Sequence, residues 1–222
     1  QRQMCIRDSS CSDFLDRYPL DELSDSSFWK TENDAMMAVT DIYGCLPTWD
    51  QDEDINSDNA VHGIKWAAGN ISKGIYDPMD QSWAGSYTPI RQCNLVLEKV
   101  KDIEMSDESR KKIEGQAYFF RAFVYFNLIR SFGDVPYIDK PLNLTDVEDI
   151  TRTPREEVYA KVMADFDKAI EYLPEEWDAA NTPRVTKGAA LAMKARAALY
   201  YSNWQVAADA SKAVIDLSLI HI

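Results

Sequence analysis

The 222-residue sequence predicts an all-α fold of tetratricopeptide-like antiparallel helix pairs with one long irregular region. Three observations predict it. Apolar and small residues recur at three- and four-residue steps through six separate segments. Each segment is bounded by capping residues, glycine or proline. No alternating apolar and polar run competes as a strand.

Composition sets the outer limits. With 45% hydrophobic and 11% aromatic residues, the chain can bury one sizeable core. Its net charge of -13, without a long basic run, argues against nucleic acid as a partner. No stretch approaches the ~20 apolar residues of a membrane-spanning helix.

The two ends read as foreign. Met4 to Ser9 is MCIRDS and Leu217 to Ile222 is LSLIHI. A coding strand for the first, ATGTGTATAAGAGACAG, has a reverse complement that encodes the second. Residues 1–9 and 217–222 are therefore expected to be translated sequencing adapter, similar to a transposase mosaic end, and are set aside from fold reasoning. The chain between them is expected to be a fragment of a longer gene product.

Residues 10–25 are polar, with Pro19 inside, and are expected to be extended or irregular. Cys11 follows a small residue and precedes an acidic stretch, as at the start of a mature bacterial lipoprotein, where acyl chains would hold the protein at a bilayer. The alternative is an ordinary exposed thiol. A helical domain is predicted over residues 26–216. Its first helix places Phe28, Ala35, Val39, Ile42 and Leu46 on one face, with Thr31 as cap and Pro47 as stop. Residues 49–80 form the irregular region, where glycines and Pro78 are spread among acidic and aromatic residues.

A second helix is predicted over Gln81–Ile103, with Trp83, Tyr87, Ile90, Cys93, Asn94, Leu97 and Val100 in register. Pro89 predicts a kink or a late start. The third helix, from Ser106, organises the chain. Asp107 and Glu108 suit the positive end of its dipole. Ile113, Ala117, Phe120, Val124 and Leu128 form a stripe, and Phe119, Phe123 and Phe126 widen it to nearly half the circumference. Such a helix must be covered on more than one side. Gly133 is predicted to end it in a left-handed conformation, with Pro136 preventing resumption.

Thr153-Pro154-Arg155-Glu156 reads as a capping box with proline at the first helical position. Val158, Val162, Phe166, Ile170 and Leu173 continue that helix to Pro174. Thr186 starts a helix rich in alanine, where small side chains let axes approach closely. Ser202-Asn203 makes a turn, and Trp204–Asp216 answers with Ala207, Ala210 and Val214 inward. Tyr200 and Trp204 are expected to act as bulky wedges, which completes the likeness to tetratricopeptide units.

Five stretches taken together resemble one family: CSDFLDRYPLDELSDSSFW from Cys11, WAGSYTPIRQCNLVLEKV from Trp83, EGQAYFFRAFVYFNLIRSFGDVPYIDKP from Glu114, TPREEVYAKVMADFDKAI from Thr153, and RVTKGAALAMKARAALYY from Arg184. In this order they resemble the N-terminal part of SusD/RagB-type outer-membrane nutrient-binding lipoproteins. The most specific piece is the aromatic helix running into Phe132-Gly133-Asp134-Val135-Pro136. The resemblance implies a SusD-like α-α superhelix held at the cell surface by a lipid on Cys11. It implies capture of a glycan or other nutrient, a SusC-like TonB-dependent transporter as partner, and no enzymatic activity.

The candidate ligand-binding residues fall in the irregular region. Sugars bind through aromatic faces flanked by amides and carboxylates, and Asp58, Asn59, His62, Trp66 and Asn70 offer that mixture. Alternatively, Trp66 and Ile71 anchor a loop to the core and the polar residues are solvated. Cys45 and Cys93 read as small buried thiols. No Cys-x-x-Cys or Cys/His spacing marks a metal site, and no cofactor is expected. With His62 the only histidine between the foreign ends, a histidine-dependent triad or a multi-histidine metal site is nearly excluded there. A helical-repeat adaptor is the second possibility. A two-carboxylate glycoside hydrolase is the third, although 37 acidic residues make any nominated pair uninformative.

Overall fold

The computed structural model describes residues 28–46, 83–143 and 150–217. Among these, six α-helices are present: α1 (Glu32–Ile42), α2 (Trp83–Lys99), α3 (Asp107–Phe132), α4 (Arg155–Tyr172), α5 (Lys187–Tyr200) and α6 (Trp204–Leu217). The only β-type pairing among the described residues is an isolated antiparallel bridge between Val135 and Thr153. No helix among them is long and apolar enough to cross a membrane. Leu217, within the segment read as foreign, is the last residue of α6.

Helix α3 is the post around which the others are arranged, and it packs against α1, α2, α4 and α5. Its 26 residues bury Ile113, Ala117, Phe119, Phe120, Val124, Tyr125, Phe126, Leu128 and Ile129, which face in several directions round the axis. The register of neighbouring contacts makes the packing antiparallel. Along α3 and α4, Tyr118 meets Tyr172, Phe119 meets Phe166, and Val135 bridges to Thr153 beyond their other ends. Along α2 and α3, Trp83 meets Phe132 while Asn94 meets Arg121. Along α4 and α5, Tyr159 stacks on Tyr201 and Asp167 pairs with Lys194.

Local signals explain most boundaries. Thr31 caps α1 in a reciprocal box with Asp34, whose carboxylate accepts from the Thr31 backbone at 2.8 Å. Ser106 and Thr186 cap α3 and α5 by accepting the amides of Ser109 and Ala189. In the α5–α6 hairpin, Ala190, Ala197 and Ala198 are buried on one helix and Ala207 and Ala210 on the other.

Four expectations are corrected. Pro89 does not delay α2, which is already helical at Trp83; the proline is buried inside the helix, and the Gly85 carbonyl that loses its helical donor belongs to an exposed residue. Gly133 does have φ +70°, but its ψ of -118° lies outside the left-handed helical well, in a region open to glycine alone. The Thr153–Glu156 capping box does not form. Thr153 is extended by its bridge to Val135, Pro154 becomes the N-cap without a side-chain bond, and α4 begins at Arg155. The cap comes from another element: Asp134 Oδ1 accepts the Arg155 amide at 2.9 Å. Finally, Tyr200 and Trp204 are not buried wedges, being 57% and 63% exposed, because alanines fill the hairpin interior and leave no room for large rings.

Candidate functional site

The candidate residues Asp58, His62, Trp66 and Asn70, and the candidate lipidation residue Cys11, lie outside the described residues. The structure therefore brings none of them to a site. What it describes is a helical scaffold, held by two polar networks that sequence reading did not single out.

The first network is buried between α2, α3 and α4. Arg121 donates from Nε and Nη2 to the two carboxylate oxygens of Asp165, each at 2.7 Å, and from Nη1 to Asn94 Oδ1 at 2.8 Å. Asn94 in turn donates to the Ile138 carbonyl at 2.9 Å. The Tyr125 hydroxyl donates to that carbonyl and accepts the Ile138 amide at 2.7 Å. The chain leaving α3 is thus clamped to the helices it has just left. Burial works against the charge on Arg121, but the hydrogen bonds and charge of Asp165 outweigh it and hold the guanidinium pKa above its ordinary value. Burial pushes the Asp165 carboxyl up, against the pull of Arg121.

The second network joins the turn after α1 to the strand-like entry of α5. The Tyr43 hydroxyl donates to Gln116 Oε1 and accepts the Val185 amide, both at 2.9 Å. Arg184 donates to Gln116 Oε1 and to Thr40. The Trp177 indole donates to the Val185 carbonyl at 2.8 Å. A single arginine in the middle of the apolar run Phe119–Phe123, and Asn94 on the apolar face of α2, were sequence signals for the first network.

Several concave surfaces stand on this scaffold, the smallest of those described being a ≈ 260 Å³ recess between Tyr43, Asn181 and Arg184. A groove of ≈ 830 Å³ runs beside α1 and α2, where Trp29, Met37, Leu95 and Val96 mix with Asp41, Arg91 and Gln92. A smaller cavity of ≈ 410 Å³ lies between Cys45, Gln92, Phe123 and Asn127. A third, of ≈ 470 Å³, lies where α3, α4 and α5 meet. These mixtures of rings, amides and charges suit reversible hydrogen bonding and stacking. The thiols fit their expected role as packing groups: Cys93 is buried and Cys45 half-buried, and burial raises the pKa of both, that of Cys45 to about 11. Among the described residues no group of histidine, cysteine, aspartate and glutamate has metal-binding geometry.

Comparison with known proteins gives a consistent result. SusD-like protein P2 of Formosa agariphila is 29% identical over 221 residues, covering 93% of this chain and 43% of that protein. A SusD-like protein of Bacteroides ovatus is 23% identical, covering 88% of this chain and 38% of that protein. The chain thus spans less than half the length of these curated relatives. Among solved structures, a SusD-like protein of Bacteroides fragilis superposes with a TM-score of 0.79 at 28% identity, over 93% of this chain and 42% of that one. A laminarin-binding SusD-like protein shares the fold, with a TM-score of 0.75 at 24% identity over 83% and 43% of the two chains. The family model described as "Starch-binding associating with outer membrane" matches residues 13–199, and the chain belongs to the SusD-like family.

Proposed function

We propose that this chain is the N-terminal helical part of a cell-surface carbohydrate-binding lipoprotein. The protein captures oligosaccharides and passes them to a SusC-like TonB-dependent transporter in the outer membrane. Acyl chains on Cys11 anchor it, and residues 10–25 give the globule clearance from the bilayer. Its role is binding, with no bond made or broken. The observation that carries the reading is the family match over residues 13–199, which takes in α1 to α5 up to the final residue, Tyr200, and stops before α6. The likeness in fold to a laminarin-binding protein supports a glycan as ligand.

In this reading the described helices are the scaffold, and the ligand contacts come from Asp58, His62, Trp66 and Asn70. The Trp66 ring would stack on the C–H face of a sugar while the others hydrogen-bond its hydroxyls. Calorimetric titration of the full-length protein with laminarin and starch oligosaccharides tests this. Trp66→Ala should weaken binding on the order of tenfold. Unchanged affinity in the variant would remove Trp66 from the site; no binding across a broad glycan panel would remove the function. Hydrolysis of a bound oligosaccharide would make the protein an enzyme instead. Failure to co-purify a TonB-dependent transporter from native membranes would count against the hand-off.

A further inference from the structure

The cavity at the meeting of α3, α4 and α5 combines a solvent-facing aromatic ring with an arginine, Arg130, that makes no ion pair among the described residues. Its walls are the ends of helices: Arg130 near the end of α3, Arg155 and Glu156 at the start of α4, and Tyr200, Tyr201 and Ser202 at the end of α5. Tyr200 is 57% exposed, yet its ring is fixed by an edge-on contact with Phe126, the centroids 5.5 Å apart. The Arg130 guanidinium lies 5.9 Å from the Tyr200 centroid and 6.0 Å from that of Phe126. Its contacts are rings, and among the described residues it makes no ion pair. Arg155 is held at the rim by Glu156 at 2.8 Å. The opposite wall is stiffened by Tyr201 stacked on Tyr159, with centroids 4.3 Å apart and planes 16° apart.

In a chain of net charge -13, Arg130 is cushioned on two rings and has no carboxylate partner among the described residues, which leaves its guanidinium able to meet an anion. The neighbouring hydroxyls of Tyr201 and Ser202 and the carboxylate of Glu156 suit a polyhydroxylated ligand. We propose that this cavity binds a pyranose ring carrying an anionic substituent, a carboxylate or a sulfate, within a glycan. The ring stacks on Tyr200, and the anion pairs with Arg130. This rests on the carbohydrate-binding reading above. It adds a second contact point, on the helical scaffold, and a charge preference centred on Arg130.

The test uses the full-length protein and four probes: an oligogalacturonate, a sulfated oligosaccharide, laminarin oligosaccharides and a polyglutamate peptide, each titrated at low and high salt. At least one charged oligosaccharide should bind, more weakly as salt rises, and comparison of the two identifies the preferred anion. Arg130→Gln should lower that affinity on the order of tenfold while leaving laminarin affinity unchanged. Tyr200→Ala should weaken the same ligand. Both side chains are exposed, so equal melting temperatures by circular dichroism will separate a binding loss from a folding loss. If charged oligosaccharides bind no better than laminarin, or Arg130→Gln leaves their affinity intact, the proposal is overturned while the glycan-binding function stands. Equal, Arg130-dependent capture of polyglutamate would assign the cavity to an acidic polypeptide and overturn the sugar assignment. Absence of binding to every glycan would refute the underlying function itself.

Discussion

Replacing Arg121 with methionine isolates the energetic centre of the scaffold. Arg121 is 7% exposed and Asp165 6%, and two 2.7 Å bonds join them. Methionine keeps much of the volume and removes the charge. It leaves the Asp165 carboxylate buried without its partner and Asn94 Oδ1 without its donor. Breaking one side of a buried ion pair costs about 3–5 kcal/mol, mainly from the stranded charge. That is a large part of a domain stability of about 5–15 kcal/mol. Asp165 can relieve the cost by taking up a proton. Its carboxyl already lies above the ordinary value because burial outweighs the pull of Arg121; without Arg121 the upward push is opposed only by the charge of Lys161. A raised folded-state pKa means the native state binds this proton more tightly than the unfolded state, so stability is regained as pH falls through that raised value. The penalty of Arg121→Met should therefore be largest at neutral pH and shrink toward pH 5. A double variant, Arg121→Met with Asp165→Leu, removes the stranded charge and should recover most of the loss, leaving about 1–2 kcal/mol from the unpaired Asn94 oxygen. Urea denaturation followed by circular dichroism at both pH values reads all of this. A single-variant penalty below about 1 kcal/mol, or one equal at both pH values, would refute the assignment of a buried, charge-dependent clamp.

Three further substitutions probe other joints. Asp134→Ala removes the acceptor for the Arg155 amide at the start of α4 and should cost about 0.5–2 kcal/mol in urea denaturation; no change would mean water replaces the cap without loss. Tyr43→Phe deletes the hydroxyl that accepts from Val185 and donates to Gln116, and should cost about 1–3 kcal/mol because a backbone amide loses its partner; Tyr43→Phe matching wild type in thermal melts would contradict this. Gly115→Ala gains helix propensity, but the new methyl would sit 3.0 Å from Tyr172 Cβ and 3.1 Å from Leu173 Cγ. The crowding should win, with a net loss of about 1 kcal/mol, and a stabilised variant would show that α4 can yield there.

The helices were legible because each carries its own periodicity and punctuation. Thr31, Ser106 and Thr186 act within their own first turns, where sequence spacing is a direct guide to geometry. The start of α4 was misread for the opposite reason. Thr153-Pro154-Arg155-Glu156 has the right local spacing, but Val135 competes for the Thr153 backbone and Asp134 supplies the cap from across the structure. The same competition gives a physical meaning to Phe132-Gly133-Asp134-Val135-Pro136. Phe132 packs edge-on to Trp83, with centroids 4.8 Å apart. Gly133 supplies the turn, Asp134 the cap and Val135 the bridge, while the Pro136 carbonyl accepts from Tyr87 at 3.0 Å. Five successive residues fasten α3 to both α2 and α4, so this short stretch is distinctive because each residue, through side chain or backbone, has a different role at that joint.

Sites were less legible than helices because a binding surface joins residues whose separation in sequence carries no period. Arg130, Arg155 and Tyr200 belong to three helices, and only the antiparallel register of α3, α4 and α5 brings their ends to one cavity. Read along the chain, Arg130 is a cation in the last turn of a helix, suited to the dipole, and Tyr200 is a large ring at a hairpin corner, suited to wedging. Each local explanation is sufficient alone, and together they hide the pairing. The distinction emerges from exposure: a wedge is buried, whereas Tyr200 keeps over half its surface in solvent beside an arginine that has no acidic partner among the described residues. On this scaffold, then, the informative residues for ligand chemistry are those whose local role is plausible and whose burial contradicts it.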